Sequence, residues 1–160
     1  CDEAWGFLPE SLRDAESVHL SSFPTEKAQY ALSEEAAHTW DEMLRMRGVV
    51  SKVLEDARRE GMIGSSLEAA IRLTPGNAKT EGILKKYESL LPWVFIVSKC
   101  TVESVSSEAE ATEDKLLAVV EKAPGEKCVR CWNYRESVGT SARHPALCNR
   151  CEAQLESAGL

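Results

Sequence analysis

Two pairs of cysteines, Cys128-Val-Arg-Cys131 and Cys148-Asn-Arg-Cys151, stand sixteen residues apart near the end of the 160-residue sequence. That spacing falls in the window of zinc ribbons and fingers. Two thiolates three residues apart in a tight turn both reach one ion at about 2.3 Å, and a second such knuckle completes a tetrahedron. In each knuckle the second cysteine follows an arginine, Arg130 or Arg150, whose positive charge favours thiolate over thiol. A pair of disulfides is the rival reading. Nothing in the sequence points to secretion, and a Cys-x-x-Cys disulfide closes a strained ring. A redox motif would present one such pair rather than two. With Cys128, Cys131, Cys148 and Cys151 all as ligands, no coordination position stays open for water or substrate, so the single zinc ion expected here is structural. Cys1 and Cys100 have no such partners and read as a terminal residue and a small apolar filler.

A module of about 35 residues is too small to build its own core, so zinc is expected to supply much of its folding free energy. Side chains between the knuckles are then free for recognition. Trp132 follows a ligand directly, with Asn133, Tyr134 and Arg135 next. Indole and phenol rings beside arginines can stack on unpaired bases while guanidinium groups meet phosphate. Equally, Trp132 could cover the metal as a lid.

Charge is unevenly distributed. The formal net charge of −7 excludes a general nucleic-acid coat. Between residues 103 and 126 seven acids face two lysines, whereas from Lys127 to Cys151 five bases face one acid. A basic module therefore ends an acidic protein. Hydrophobic residues at 43% and charged residues at 28% are ordinary for a globular chain, and no apolar run is long enough to span a bilayer. The chain opens on Cys1 with no signal-peptide pattern, and is expected to be a piece of something larger.

Upstream of the cysteines, residues 1–10 read as the last turns of a helix stopped by Pro9, with Trp5, Phe7 and Leu8 seeking a core. Residues 17–24 alternate like an extended segment. Ser33 to Glu60 is helical, with Glu34 and Glu35 at the positive end of its dipole. Its stripe is expected to comprise Trp40, Met43, Leu44, Val50, Leu54 and Ala57, ended by Gly61 and Gly64, with partner helices outside this sequence. Arg47 falls near the centre of that stripe, either paired with an acid of a neighbouring helix or meeting phosphate. Further on, Leu67–Leu73 reads as a strand, Ala78–Leu91 as a helix ended by Pro92, Trp93–Val97 as a central strand, Ser104–Asp114 as an acidic loop and Leu116–Val120 as a strand. The Pro124-Gly125-Glu126 turn leads into the cysteine module. Residues 1–63, 64–123 and 124–160 are thus expected to be a helical part, a small α+β segment and a four-cysteine zinc finger, and the whole is of the α+β class.

Glu126-Lys-Cys-Val-Arg-Cys-Trp-Asn-Tyr134 and His144-Pro-Ala-Leu-Cys-Asn-Arg-Cys151 closely resemble the zinc finger that ends bacterial-type isoleucyl-tRNA synthetases. A related finger ends DNA glycosylases of the Fpg/Nei type. The stretches from Trp40 to Arg58 and from Ile63 to Ala70 resemble the synthetases' anticodon-stem-binding helix and its junction, and Asp2 to Pro9 the end of the same helical domain. The glycosylase pattern would need an N-terminal Pro-Glu and a helix–two-turn–helix, which the sequence does not show. The synthetase resemblance implies a monomeric tRNA-binding piece of isoleucine–tRNA ligase, a class I aminoacyl-tRNA synthetase. The helical part would lie along the anticodon stem of tRNA(Ile) and the finger cap its loop, with Arg130 and Trp132 as the tRNA contacts. The signatures His-Ile-Gly-His and Lys-Met-Ser-Lys-Ser do not occur in these residues, so ATP use, catalysis and editing would fall to upstream domains of the same enzyme. No catalytic residue is expected here. The implied setting is a bacterial cytoplasm or, alternatively, a mitochondrion or chloroplast, without membrane contact. The alternative function is a stand-alone zinc module that binds nucleic acid or protein without ligase activity.

Overall fold

The computed structural model describes residues 1–25, 27–110 and 114–159. The chain divides into two compact units, Cys1–Glu34 and Glu35–Leu160. The first holds helix α1 (Asp2–Gly6) and three single 3-10 turns. The Asp2 carboxylate accepts from the Ser17 hydroxyl at 2.7 Å and the Val18 N–H at 3.2 Å, and the Trp5 indole donates to the Ala15 carbonyl. Trp5 is half-buried, but Phe7, expected to seek a core, is 84% exposed. The extended segment expected at 17–24 is instead a 3-10 turn at Val18–Leu20. The Ser17 hydroxyl accepts the His19 N–H and draws the chain into a turn.

Helix α2 (Glu34–Arg59) carries the expected long amphipathic pattern and ends at Gly61, whose φ of +73° is left-handed. Its buried stripe is Met43, Met46, Val50, Leu54 and Ala57. Of the other expected stripe residues, Trp40 packs half-buried against the core whereas Leu44 is 57% exposed, and Arg47, expected near the centre of the stripe, is exposed. The stripe does not wait for helices from elsewhere. It packs into one core with Ile71, Leu73, Leu84, Leu91, Phe95, Val97 and Leu116 from the following α+β elements.

Those elements are strand β1 (Ala69–Pro75), helix α3 (Ala78–Lys86), helix α4 (Leu91–Phe95), strand β2 (Lys99–Val102), helix α5 (Ser107–Glu110) and strand β3 (Leu116–Lys122). The sheet order is β2-β1-β3, with β1 parallel to β2 (Ala70 opposite Lys99) and antiparallel to β3 (Ala69 opposite Lys122). Central β1 turns Ala69, Ile71 and Leu73 into the core, as strand alternation requires. From its other face the Arg72 guanidinium reaches Glu121 at 2.9 Å and Glu103 at 3.4 Å.

Three local expectations are corrected. Residues 78–91 form two helical pieces, since α3 ends at Lys86 and a 3-10 turn at Glu88–Leu90 intervenes. Pro92 does not stop a helix but lies in the first turn of α4, where its missing N–H would have no helical partner. Trp93–Phe95 is consequently helical and capped by Ile96 in the left-handed region, and the parallel strand begins only at Lys99. Within the acidic segment, α5 buries Ala109 against the backbone of Gly76, where a Cβ would come within 2.8 Å. Glu113 lies outside the described residues.

Candidate metal centre

Strand β4 (Glu126–Lys127) pairs antiparallel with β5 (Tyr134–Arg135), Glu126 opposite Arg135. The first cysteine knuckle is the loop between them. Its turn is closed by the Trp132 N–H to the Cys128 carbonyl at 2.8 Å and the Cys128 N–H to the Asn133 carbonyl at 2.9 Å. This geometry puts Trp132 at φ +63°, in the left-handed region that an aromatic residue seldom adopts. The second knuckle opens helix α6 (Asn149–Ser157), with Cys148 as its N-cap and Cys151 in its first turn. The Val129 N–H to the Ala146 carbonyl, at 3.2 Å, joins the knuckles. Leu147, with Val138 and Leu155, adds a small apolar layer.

The Sγ atoms of Cys128, Cys131, Cys148 and Cys151 all lie within 4.8 Å of one another. The Cys131–Cys148 separation of 3.7 Å matches the ~3.8 Å edge of a tetrahedron with 2.3 Å zinc–sulfur bonds. Cys128, Cys148 and Cys151 are buried and Cys131 is half-buried. The donor set, its closeness and its burial suit one zinc ion held entirely by protein.

Electrostatics of the four thiols are unequal. Burial opposes a charge on Cys128, but N–H groups of Cys131, Cys148 and Arg130 point at its sulfur and draw the thiol down to about 6. At Cys148 burial dominates, and with the neighbouring sulfurs it pushes the thiol up to about 12. A divalent cation is what allows all four sulfurs to be charged together. The two arginines singled out by the spacing act differently. Arg130 contributes its backbone N–H, whereas the Arg150 guanidinium lies beside the Cys131 and Cys151 sulfurs. Those sulfurs outweigh the cost of its burial and hold Arg150 above its ordinary pKa. The same guanidinium lies 4.5 Å from the centre of the Trp93 ring on α4.

Of the sequence candidates, the structure brings the four cysteines together and leaves Arg130 and Trp132 exposed on the first knuckle. Trp132 is 60% exposed, with Lys127 Nζ 5.0 Å from its ring centre, so it is not a closed lid over the sulfurs. Sequence reasoning missed Ser98. This fully buried serine donates to the Leu67 carbonyl and accepts the Tyr134 N–H at 2.7 Å, joining the entry to β1 with β5. No pattern in the sequence marks it. Ser98→Ala leaves two part-buried backbone groups without this partner and is expected to cost about 2–3 kcal/mol in urea unfolding. A loss below about 0.5 kcal/mol would show that water satisfies both groups.

Residues 125–154 match the zinc-finger family described as found in FPG and IleRS. Across 96% of its length the chain is 45% identical to an isoleucine–tRNA ligase of Syntrophotalea carbinolica, covering 16% of that protein. It is 39% identical to the isoleucine–tRNA ligase of Geobacter sulfurreducens over 97% of the chain and 17% of the relative. With isoleucine–tRNA ligase 1 of Oceanobacillus iheyensis the identity is 40%, over 94% of the chain and 16% of the relative. The chain thus spans about one sixth of the length of these relatives. Its finger thus matches the family found in FPG and IleRS, and nearly all of its length is similar to the C-terminal region of bacterial isoleucine–tRNA ligases.

Proposed function

We propose that this chain is the tRNA-binding end of an isoleucine–tRNA ligase, working as a monomer in the bacterial cytoplasm. Zinc held by Cys128, Cys131, Cys148 and Cys151 fixes the two knuckles, and the first knuckle presents Arg130 and Trp132 to the anticodon loop of tRNA(Ile). Activation of isoleucine with ATP belongs to other domains of the longer enzyme. The observation that carries the reading is the exposed Trp132 ring, held in a left-handed backbone conformation on a metal-braced turn beside Arg130 and Lys127. A ring with Lys127 over it and more than half its surface free can stack on an unpaired base, while the neighbouring cations meet phosphate. Holding a bulky residue in that conformation costs about 1–3 kcal/mol, which the surrounding turn must supply.

The test is binding of the zinc-loaded chain to isoleucine tRNA and to an anticodon-swapped tRNA across a salt series. Preference for the isoleucine anticodon is expected, with Trp132→Ala weakening binding by roughly 5- to 150-fold, the span of ~1–3 kcal/mol per stacked base. Arg130→Gln should weaken binding to both tRNAs and flatten the salt dependence by about one unit of slope if it meets a phosphate. Equal binding of both tRNAs, unaltered in either variant, would reduce the finger to a structural cap.

A further inference from the structure

Between α2 and the end of α4 runs a shallow groove of about 240 Å³ lined by Arg47, Ser51, Glu55, Arg58, Ser66 and Ile96, among others. Arg58 is engaged, touching the Glu55 carboxylate and bonding the Ser66 hydroxyl at 3.2 Å. Arg47 is exposed and makes no ion pair among the described residues. Two arginines against one glutamate leave the groove with a net positive charge.

At the groove's edge Ile96 is 52% exposed with φ +57° and ψ +50°. A β-branched residue in the left-handed region is a true outlier, and such strain gathers at binding sites. Its N–H bonds the carbonyl of Trp93, whose ring is 54% exposed and carries Arg150 at 4.5 Å. Arg150 in turn directly precedes Cys151 of the metal centre. A free arginine in a polar groove, a half-exposed indole and a second arginine thus run from α2 to the metal centre. Exposed apolar rings interleaved with cations fit single-stranded nucleic acid better than an apolar protein segment, which would leave Arg47 without a partner.

We propose that this surface is a second RNA contact, distinct from the first knuckle, taking one unpaired nucleotide. Its phosphate meets Arg47 in the groove and its base lies on the exposed indole of Trp93 beside Ile96. The proposal rests on the tRNA-binding reading above and extends it from the finger to α2 and α4.

The experiment uses the zinc-loaded full chain and an anticodon stem-loop RNA of isoleucine type, with a set of stem-loops each abasic at one loop position. Trp93→Ala is expected to weaken binding about tenfold and Trp93→Phe far less, since a phenyl ring still stacks. One abasic RNA should bind the wild type more weakly yet show no further loss with Trp93→Ala, which indirect loosening of the finger would not produce. Arg47→Gln should lower the salt slope by about one, and Arg47→Lys should restore it. Circular dichroism and cobalt(II) spectra check that each variant is folded. If folded Trp93→Ala and Arg47→Gln bind as the wild type while Trp132→Ala is weakened, the groove is not a nucleotide site and the finger reading stands alone. Wild-type binding by Trp132→Ala and Arg130→Gln as well would overturn both.

Discussion

Removing zinc with a chelator is expected to unfold residues 124–159 while leaving the β2-β1-β3 sheet and α2 folded. The finger's apolar layer is Leu147 with Val138 and Leu155, apart from the cysteines themselves. Its β4–β5 ladder has two residue pairs. That is far too little burial to offset the entropy of ordering some 35 residues at about 1–2 kcal/mol of backbone each. Structural zinc sites contribute on the order of 10–16 kcal/mol at neutral pH, enough to reverse the balance. The larger core, from Met43 to Ala118, contains none of the four clustered cysteines. Amide NMR should therefore show loss of dispersion for β4, β5 and α6 only, with Cys131→Ser reproducing it in part. Zinc uptake must displace protons, above all from Cys148, whose thiol stands near 12, so zinc affinity falls as pH drops. Retention of finger signals in excess chelator would mean that the four sulfurs do not depend on a metal. Global unfolding would mean that the Ser98 and Trp93 contacts make the finger part of the main core.

The metal centre was legible from sequence because its signal is local: ligand chemistry dictates two short knuckles, and cysteine has few other reasons to recur at that spacing. Helix α2 was legible through its period, yet its burial partners were not. An apolar stripe says that something covers it, not whether a helix or a sheet does so. Trp93–Val97 failed for a physical reason. A dense β-branched and aromatic run satisfies strand propensity, but Pro92 in a first helical turn and a left-handed Ile96 override it through tertiary packing. The contacts that seat the finger on the sheet are side chain to backbone at Ser98 and ring to guanidinium at Trp93–Arg150. Neither has a sequence period, so neither could be read in advance.

Gly125→Ala is expected to cost about 3–5 kcal/mol and to detach β4 from β5, through overlap and backbone strain together. Gly125 has φ +85°, a conformation that costs an L side chain about 1–2 kcal/mol. A Cβ there would lie 2.3 Å from the Arg135 carbonyl carbon and 2.4 Å from its oxygen and from the Glu136 nitrogen. All three are backbone atoms of β5 and the residue after it, so no side-chain rotation relieves the overlap and the strands must part. Glu126 and Lys127 are the whole of β4, and Cys128 follows at once, so the displacement is passed directly to a zinc ligand. Gly139 supplies the internal comparison. Its φ of +90° carries the same conformational penalty, but nothing lies within 4 Å of its would-be Cβ. Gly139→Ala should therefore lose only about 1–2 kcal/mol, and the difference between the variants isolates the steric part. Competition titration with a zinc chelator should show weakened metal binding in Gly125→Ala and near-normal binding in Gly139→Ala. Equal losses in the two would leave backbone conformation as the sole cause and put the close approach of Gly125 to β5 in error.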